Sequence, residues 1–198
     1  VTDAETVVHL VRHGEVQNPD NLRYGQLIGF PLSPRGRDQA RLAAERLRAA
    51  GPIAVVVSSP LERAIETATL MRLALDREDE LVLDHRLIEA KSDFDGRPRL
   101  AVLRPWEWWR LRNPWRPSWA EPFIEVTRRM VAALAMLRAT WPGRAIVAVS
   151  HQSPIWLARQ AFESPPPPWR SRMRCAHASI TSLRFVADRY LGHDYWAP

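Results

Sequence analysis

The chain is almost without cysteine and lysine. Its one cysteine, Cys175, excludes an internal disulfide and leaves no Cys-x-x-Cys spacing for a structural metal, so a reducing, cytoplasmic setting without bound metal is the expectation. No stretch approaches the ~18 consecutive apolar residues of a bilayer-spanning helix. Residues 1–5 are polar and acidic, unlike a secretion signal, and no membrane association is expected. Lysine is confined to Lys91 among 28 basic residues, so the net charge of +6 is carried by arginine. Guanidinium suits bidentate phosphate binding, yet arginine dominance also follows from codon bias, and charge alone identifies no partner.

What is present is alternation. Apolar, β-branched runs at 6–12, 53–58 and 145–150 read as strands, with a shorter one at 81–84. Helical patterns follow at 33–50, 60–75, 121–140 and 153–162. The first of these starts at Ser33 and Pro34, an N-cap followed by proline at N1, and stops at Gly51-Pro52. The prolines within 164–168 make a surface connector, and 179–186 and 190–195 read as edge strands. With 198 residues this predicts a single α/β domain, a three-layer α/β/α arrangement around a mostly parallel sheet.

Three of the strands end in chemistry. The first runs into Arg12-His13-Gly14-Glu15, the second into Ser58-Ser59-Pro60-Leu61-Glu62-Arg63-Ala64, and the third into Ser150-His151. In a parallel sheet all three loops lie at the carboxyl edge, where open α/β folds bind ligands. Two arginines and two histidines would meet there. At these blocks the sequence resembles the histidine phosphatase superfamily, also called phosphoglycerate-mutase-like, from Val7 to about Leu183.

His13 is the candidate nucleophile, since neutral imidazole can accept a phosphoryl group when its other nitrogen is held as a donor. Arg12 and Arg63 are candidate clamps for the three equatorial oxygens of a transferring phosphoryl group, Arg63 having the added attraction of a helix N-terminus. His151 would be a second imidazole donating to those oxygens. The family loop usually reads Ser-His-Gly, and here Gln152 adds a side chain that either contacts substrate or narrows the pocket.

The resemblance further implies an acid/base in the Leu-x-Glu position, which falls on Glu89, with Asp93 and Asp95 as rivals on the same loop. It also implies that Asn18 and the stretch 24–33 close one side of the phosphate pocket; the usual glutamine position falls on Gly25, with Gln26 displaced by one. His9, His85, His177 and His193 lack such context and read as structural or exposed.

Most of the nine tryptophans cluster as Trp106, Trp108, Trp109, Trp115 and Trp119, interleaved with Arg104, Arg110, Arg112 and Arg116. An insert over about 92–121 is expected to be an amphipathic cap, before a substrate-selecting lid and, more remotely, a base-stacking nucleic-acid surface. The resulting expectation is a metal-independent phosphomonoester hydrolase working through phosphohistidine on His13, with no cofactor and a small-molecule substrate. A cofactor-dependent phosphoglycerate mutase is the second reading. A non-catalytic module binding phosphorylated ligands or nucleic acid is the third.

Overall fold

A computed structural model describes residues 4–98, 120–163 and 174–198. The tryptophan-rich segment 104–119 and the proline run 164–168, for which a cap and a connector are expected, lie outside the described residues. Six strands form one mixed sheet: β1 (Glu5–Arg12), β2 (Ile53–Ser58), β3 (Val82–Leu83), β4 (Ala145–Ser150), β5 (Ile180–Val186) and β6 (Arg189–Trp196). Their order is β3-β2-β4-β1-β5-β6, with the first four mutually parallel and the last two antiparallel.

The helices are α1 (Pro34–Ala50), α2 (Glu62–Ala74), α3 (Phe123–Thr140) and α4 (Gln152–Phe162), with a 3-10 turn at His85–Leu87. Alternation along β1 sends Val8 and Leu10 into a core shared with α3 and α4, and Val11 into the opposite core shared with α1 and α2. That is the three-layer arrangement. Helix α1 starts where the sequence says it should: Ser33 Oγ accepts from the Gly36 amide 3.0 Å away, and Pro34 follows the cap. Its buried face is made of Gly36, Ala40, Ala43, Ala44 and Leu47, small enough to bring α1 close to the sheet and to α2.

Strand β5 differs from expectation. It is not an edge strand but lies between β1 and β6, pairing antiparallel with both, and β6 alone forms that edge. Polar residues alternating along 180–186 resemble a one-faced edge, but Ser182 is bonded to His9 and Arg184 is paired with Glu5 and Asp194. The polar positions of β5 thus reach partners on both neighbouring strands.

Candidate active site

Parallel pairing sets Arg12 opposite Ser150 and Ser58 opposite Val149, so the loops after β1, β2 and β4 emerge side by side. The resulting cluster is buried: His13 is 1% exposed, Arg63 1% and His151 0%. The imidazoles of His13 and His151 have centroids 5.1 Å apart.

His13 is fixed through its backbone, its amide donating to Ser150 O and its carbonyl accepting from the Ala178 amide, both at 3.1 Å. Its Nδ1 lies 2.7 Å from Gly14 O. A carbonyl only accepts, so Nδ1 carries the proton and Nε2 keeps the lone pair. Burial first, then coupling to His151 and the cationic fields of Arg63 and Arg12, hold His13 well below the ordinary imidazole pKa, so the ring is neutral.

His151 lies against a hydroxyl. Its Nε2 is 2.8 Å from Ser59 Oγ, and that oxygen also accepts from the Leu61 amide at 3.4 Å. Burial first, then the neighbouring Arg63, Arg12 and Arg129, hold its pKa well below the ordinary imidazole value, and its Nδ1 is buried without a partner.

The guanidiniums repeat a pattern. Arg12 donates from Nη1 to Cys175 O at 2.6 Å and from Nη2 to His177 Nε2 at 3.0 Å. Arg63 donates to Gly25 O and, at 3.4 Å, to Leu27 O, with the Tyr24 ring 4.8 Å from its Cζ. In both, Nε is buried and unpartnered. Arg63 gains its inward position from the first turn of α2, whose buried face runs Arg63, Ala64, Thr67, Ala68 and Met71.

Beside this cluster lies a pocket of about 230 Å³ lined by Arg12, Tyr24, Gly25, Glu89, Gln152 and Ser153, among others. Glu89 has its carboxyl pKa raised by burial, against the pull of the Ala90 amide, Arg63, Arg12 and Ser153. Asp95 also lines the pocket, accepts from the Gln26 amide at 3.2 Å and is likewise raised by burial. Asp93 instead borders a neighbouring groove. Gln152 opens α4, whose first turn lacks a side-chain cap and presents the positive end of its dipole beside the pocket.

Asn18 shapes the turn that brings Leu22 to the pocket: its side chain both donates to Leu22 O at 2.8 Å and accepts from the Leu22 amide at 2.9 Å. Gln26 donates to Glu89 O at 2.7 Å and so braces the acid/base loop. His177 was expected to be structural or exposed, but it joins the cluster, its ring 5.7 Å from His13. No local motif marks it, because its neighbours come from the other end of the chain. His9, bonded to Ser182, and His193, 2.5 Å from Glu163, lie outside the cluster.

Residues 8–194 match the family model for the histidine phosphatase superfamily (branch 1). Uncharacterized protein Rv0525 of Mycobacterium tuberculosis is 42% identical over 98% of this chain and 97% of its own. A Yersinia enterocolitica protein named "Probable phosphoglycerate mutase GpmB" is 30% identical over 95% of this chain and 89% of its own. The solved structure of mycobacterial glucosyl-3-phosphoglycerate phosphatase Rv2419c with VO3 superposes with a TM-score of 0.80 at 29% identity, covering 96% of this chain and 98% of that one. The chain belongs to the histidine phosphatase superfamily (branch 1).

Proposed function

We propose that the protein hydrolyses small phosphomonoesters through a phosphohistidine on His13. The observation that carries this reading is the convergence of Arg12, Arg63 and His151 on a neutral, buried His13, with three of the six buried, unpartnered side-chain nitrogens among the described residues, Arg12 Nε, Arg63 Nε and His151 Nδ1, gathered there. Orphaned buried donors are costly, roughly 1–3 kcal/mol each, and an anion recovers that cost. A phosphoryl group has three oxygens to accept from them.

In the first step His13 Nε2 attacks phosphorus, the P–O bond to the ester oxygen breaks, and Glu89 gives its proton to the departing alkoxide. In the second, Glu89, now a carboxylate, takes a proton from water as the water oxygen attacks phosphorus and the P–N bond breaks, returning His13 neutral and releasing orthophosphate. Arg12, Arg63 and His151 hold the phosphoryl oxygens through both steps, and fixed donors of this kind are the main source of rate in phosphoryl transfer. Glu89 suits the acid role because its raised pKa keeps the proton available. Gln152, at the pocket wall, contacts the substrate, and Asn18 contributes by shaping the turn at Leu22.

Phosphate release from a panel of esters in chelator, including an aryl phosphate and 3-phosphoglycerate, with His13→Ala alongside, tests the reading. Turnover is expected, falling by several orders of magnitude in the variant. A mutase reading, to which the named mutase relative lends weight, requires instead that bisphosphoglycerate strongly activate 3-phosphoglycerate isomerisation. Wild-type turnover in His13→Ala refutes the hydrolase mechanism.

A further inference from the structure

We propose that His177 is the positioning residue for the Arg12 clamp, holding its guanidinium plane by accepting a hydrogen bond at Nε2. The inference rests on the phosphatase reading for its consequence, but the contact itself is independent of it.

Arginine has no acceptor, so the 3.0 Å contact between Arg12 Nη2 and His177 Nε2 has one possible direction. Arg12 donates, Nε2 supplies the lone pair, and a neutral His177 carries its proton on Nδ1. The second anchor of Arg12 is the Cys175 carbonyl at Nη1. A guanidinium pinned at one nitrogen swings about that bond; pinned at two, its plane is set, and the buried Nε is set with it. Cys175 contributes only backbone, so His177 is the anchor that a side-chain substitution removes.

The turn that carries His177 is itself tied to the nucleophile. Ala178, at φ +52, donates its amide to His13 O at 3.1 Å, and the Arg12 amide donates to Ser179 O at the same distance. On the other side the Ala176 amide reaches Tyr195 Oη at 3.1 Å. His177 is thereby registered against both Arg12 and His13 before any ligand arrives, which is what preorganisation of an anion site requires.

The test compares His177→Leu with His177→Gln, whose carbonyl oxygen reaches about as far as Nε2. Three quantities are read: the dissociation constant for orthophosphate by equilibrium titration, KM and kcat for an aryl phosphate, and thermal unfolding. Expected for His177→Leu is roughly tenfold weaker orthophosphate binding, the cost of one charge-assisted contact, with a matching rise in KM. His177→Gln is expected to restore most of that loss. In the wild type, 15N NMR is expected to give His177 an unprotonated Nε2 at neutral pH.

Unchanged orthophosphate affinity in His177→Leu overturns the proposal, as does a folded His177→Gln that binds as weakly as the leucine variant, or a protonated Nε2 in the wild type. Wild-type protein that binds orthophosphate but turns over no ester refutes the hydrolase reading alone, and the same titration still decides the role of His177. Wild-type protein that neither binds orthophosphate nor turns over any ester overturns both.

Discussion

Gly14 and Gly36 stand back to back: a Cβ on Gly14 would lie 2.3 Å from the Gly36 carbonyl oxygen. The loop that presents His13 therefore touches the first turn of α1 with no room between backbones. Gly14 also donates its amide to Thr67 Oγ1 at 3.1 Å and offers its carbonyl to His13 Nδ1, so displacement here moves the nucleophile directly. Gly14→Ala is expected to cost about 2–4 kcal/mol of stability and to lower kcat more than tenfold, read by thermal unfolding and aryl phosphate turnover. Wild-type values for both would refute the close approach.

Ser59 is the side-chain partner of His151. For His151 to offer an Nδ1–H to a phosphoryl oxygen, the Ser59 hydroxyl must donate to Nε2, and removing it takes that donor away. Ser59→Ala is expected to reduce kcat by roughly ten- to hundredfold with little change in melting temperature. Ring 15N shifts of His151 are expected to show the tautomer redistributing.

Activity is expected to peak on the acidic side. His13 must be neutral to attack, and its lowered pKa carries the acid limb well below pH 6.5. Glu89 must be protonated to assist departure, and its raised pKa carries the alkaline limb above the ordinary carboxylate value of 4.5. Glu89→Gln should remove the alkaline limb and slow an alkyl phosphate by roughly 10²–10⁴-fold. A kcat/KM profile whose acid limb falls at pH 6.5 or above would contradict the burial of His13.

His9 contributes a separate pH dependence, of stability. Burial first, with help from Arg184, lowers its pKa to about 4 from 6.5. Between those values the unfolded chain binds the extra proton, so stability is complete above pH 6.5 and declines as pH falls toward 4, by up to about 3 kcal/mol. His9→Asn is expected to flatten that slope in denaturant titrations at pH 7 and pH 5, while leaving the pH dependence of turnover unchanged.

Arg129 braces the acid/base loop from α3. It donates to Arg86 O and Ile88 O, both at 2.6 Å, and pairs with Glu121 at 2.9 Å. Arg129→Ala removes this donor from two carbonyls and a carboxylate, at an expected cost of about 2–4 kcal/mol. Because Glu89 follows Ile88, kcat for alkyl esters is expected to fall further than kcat for an aryl ester whose leaving group needs no proton.

The sequence by itself determined the parts of this protein that are local. Strands β1, β2 and β4 are apolar runs that end in Arg12-His13, Ser58-Ser59 and Ser150-His151, and parallel pairing then forces those ends together. Glu89 was legible only through family resemblance, because a carboxylate in a polar loop carries no periodic signal. What the tertiary structure alone decided depends on partners distant in the chain. Antiparallel pairing of β5 with β1 sets Val11 opposite Ile180 and so brings His177 to Arg12. The Leu22 bonds give Asn18 the shaping of a turn beside the pocket, and packing of the loops after β2 and β4 brings the Ser59 hydroxyl to His151 Nε2. Hydrogen-bond direction and burial are properties of the assembled site, and no window of sequence contains both halves of such a pair.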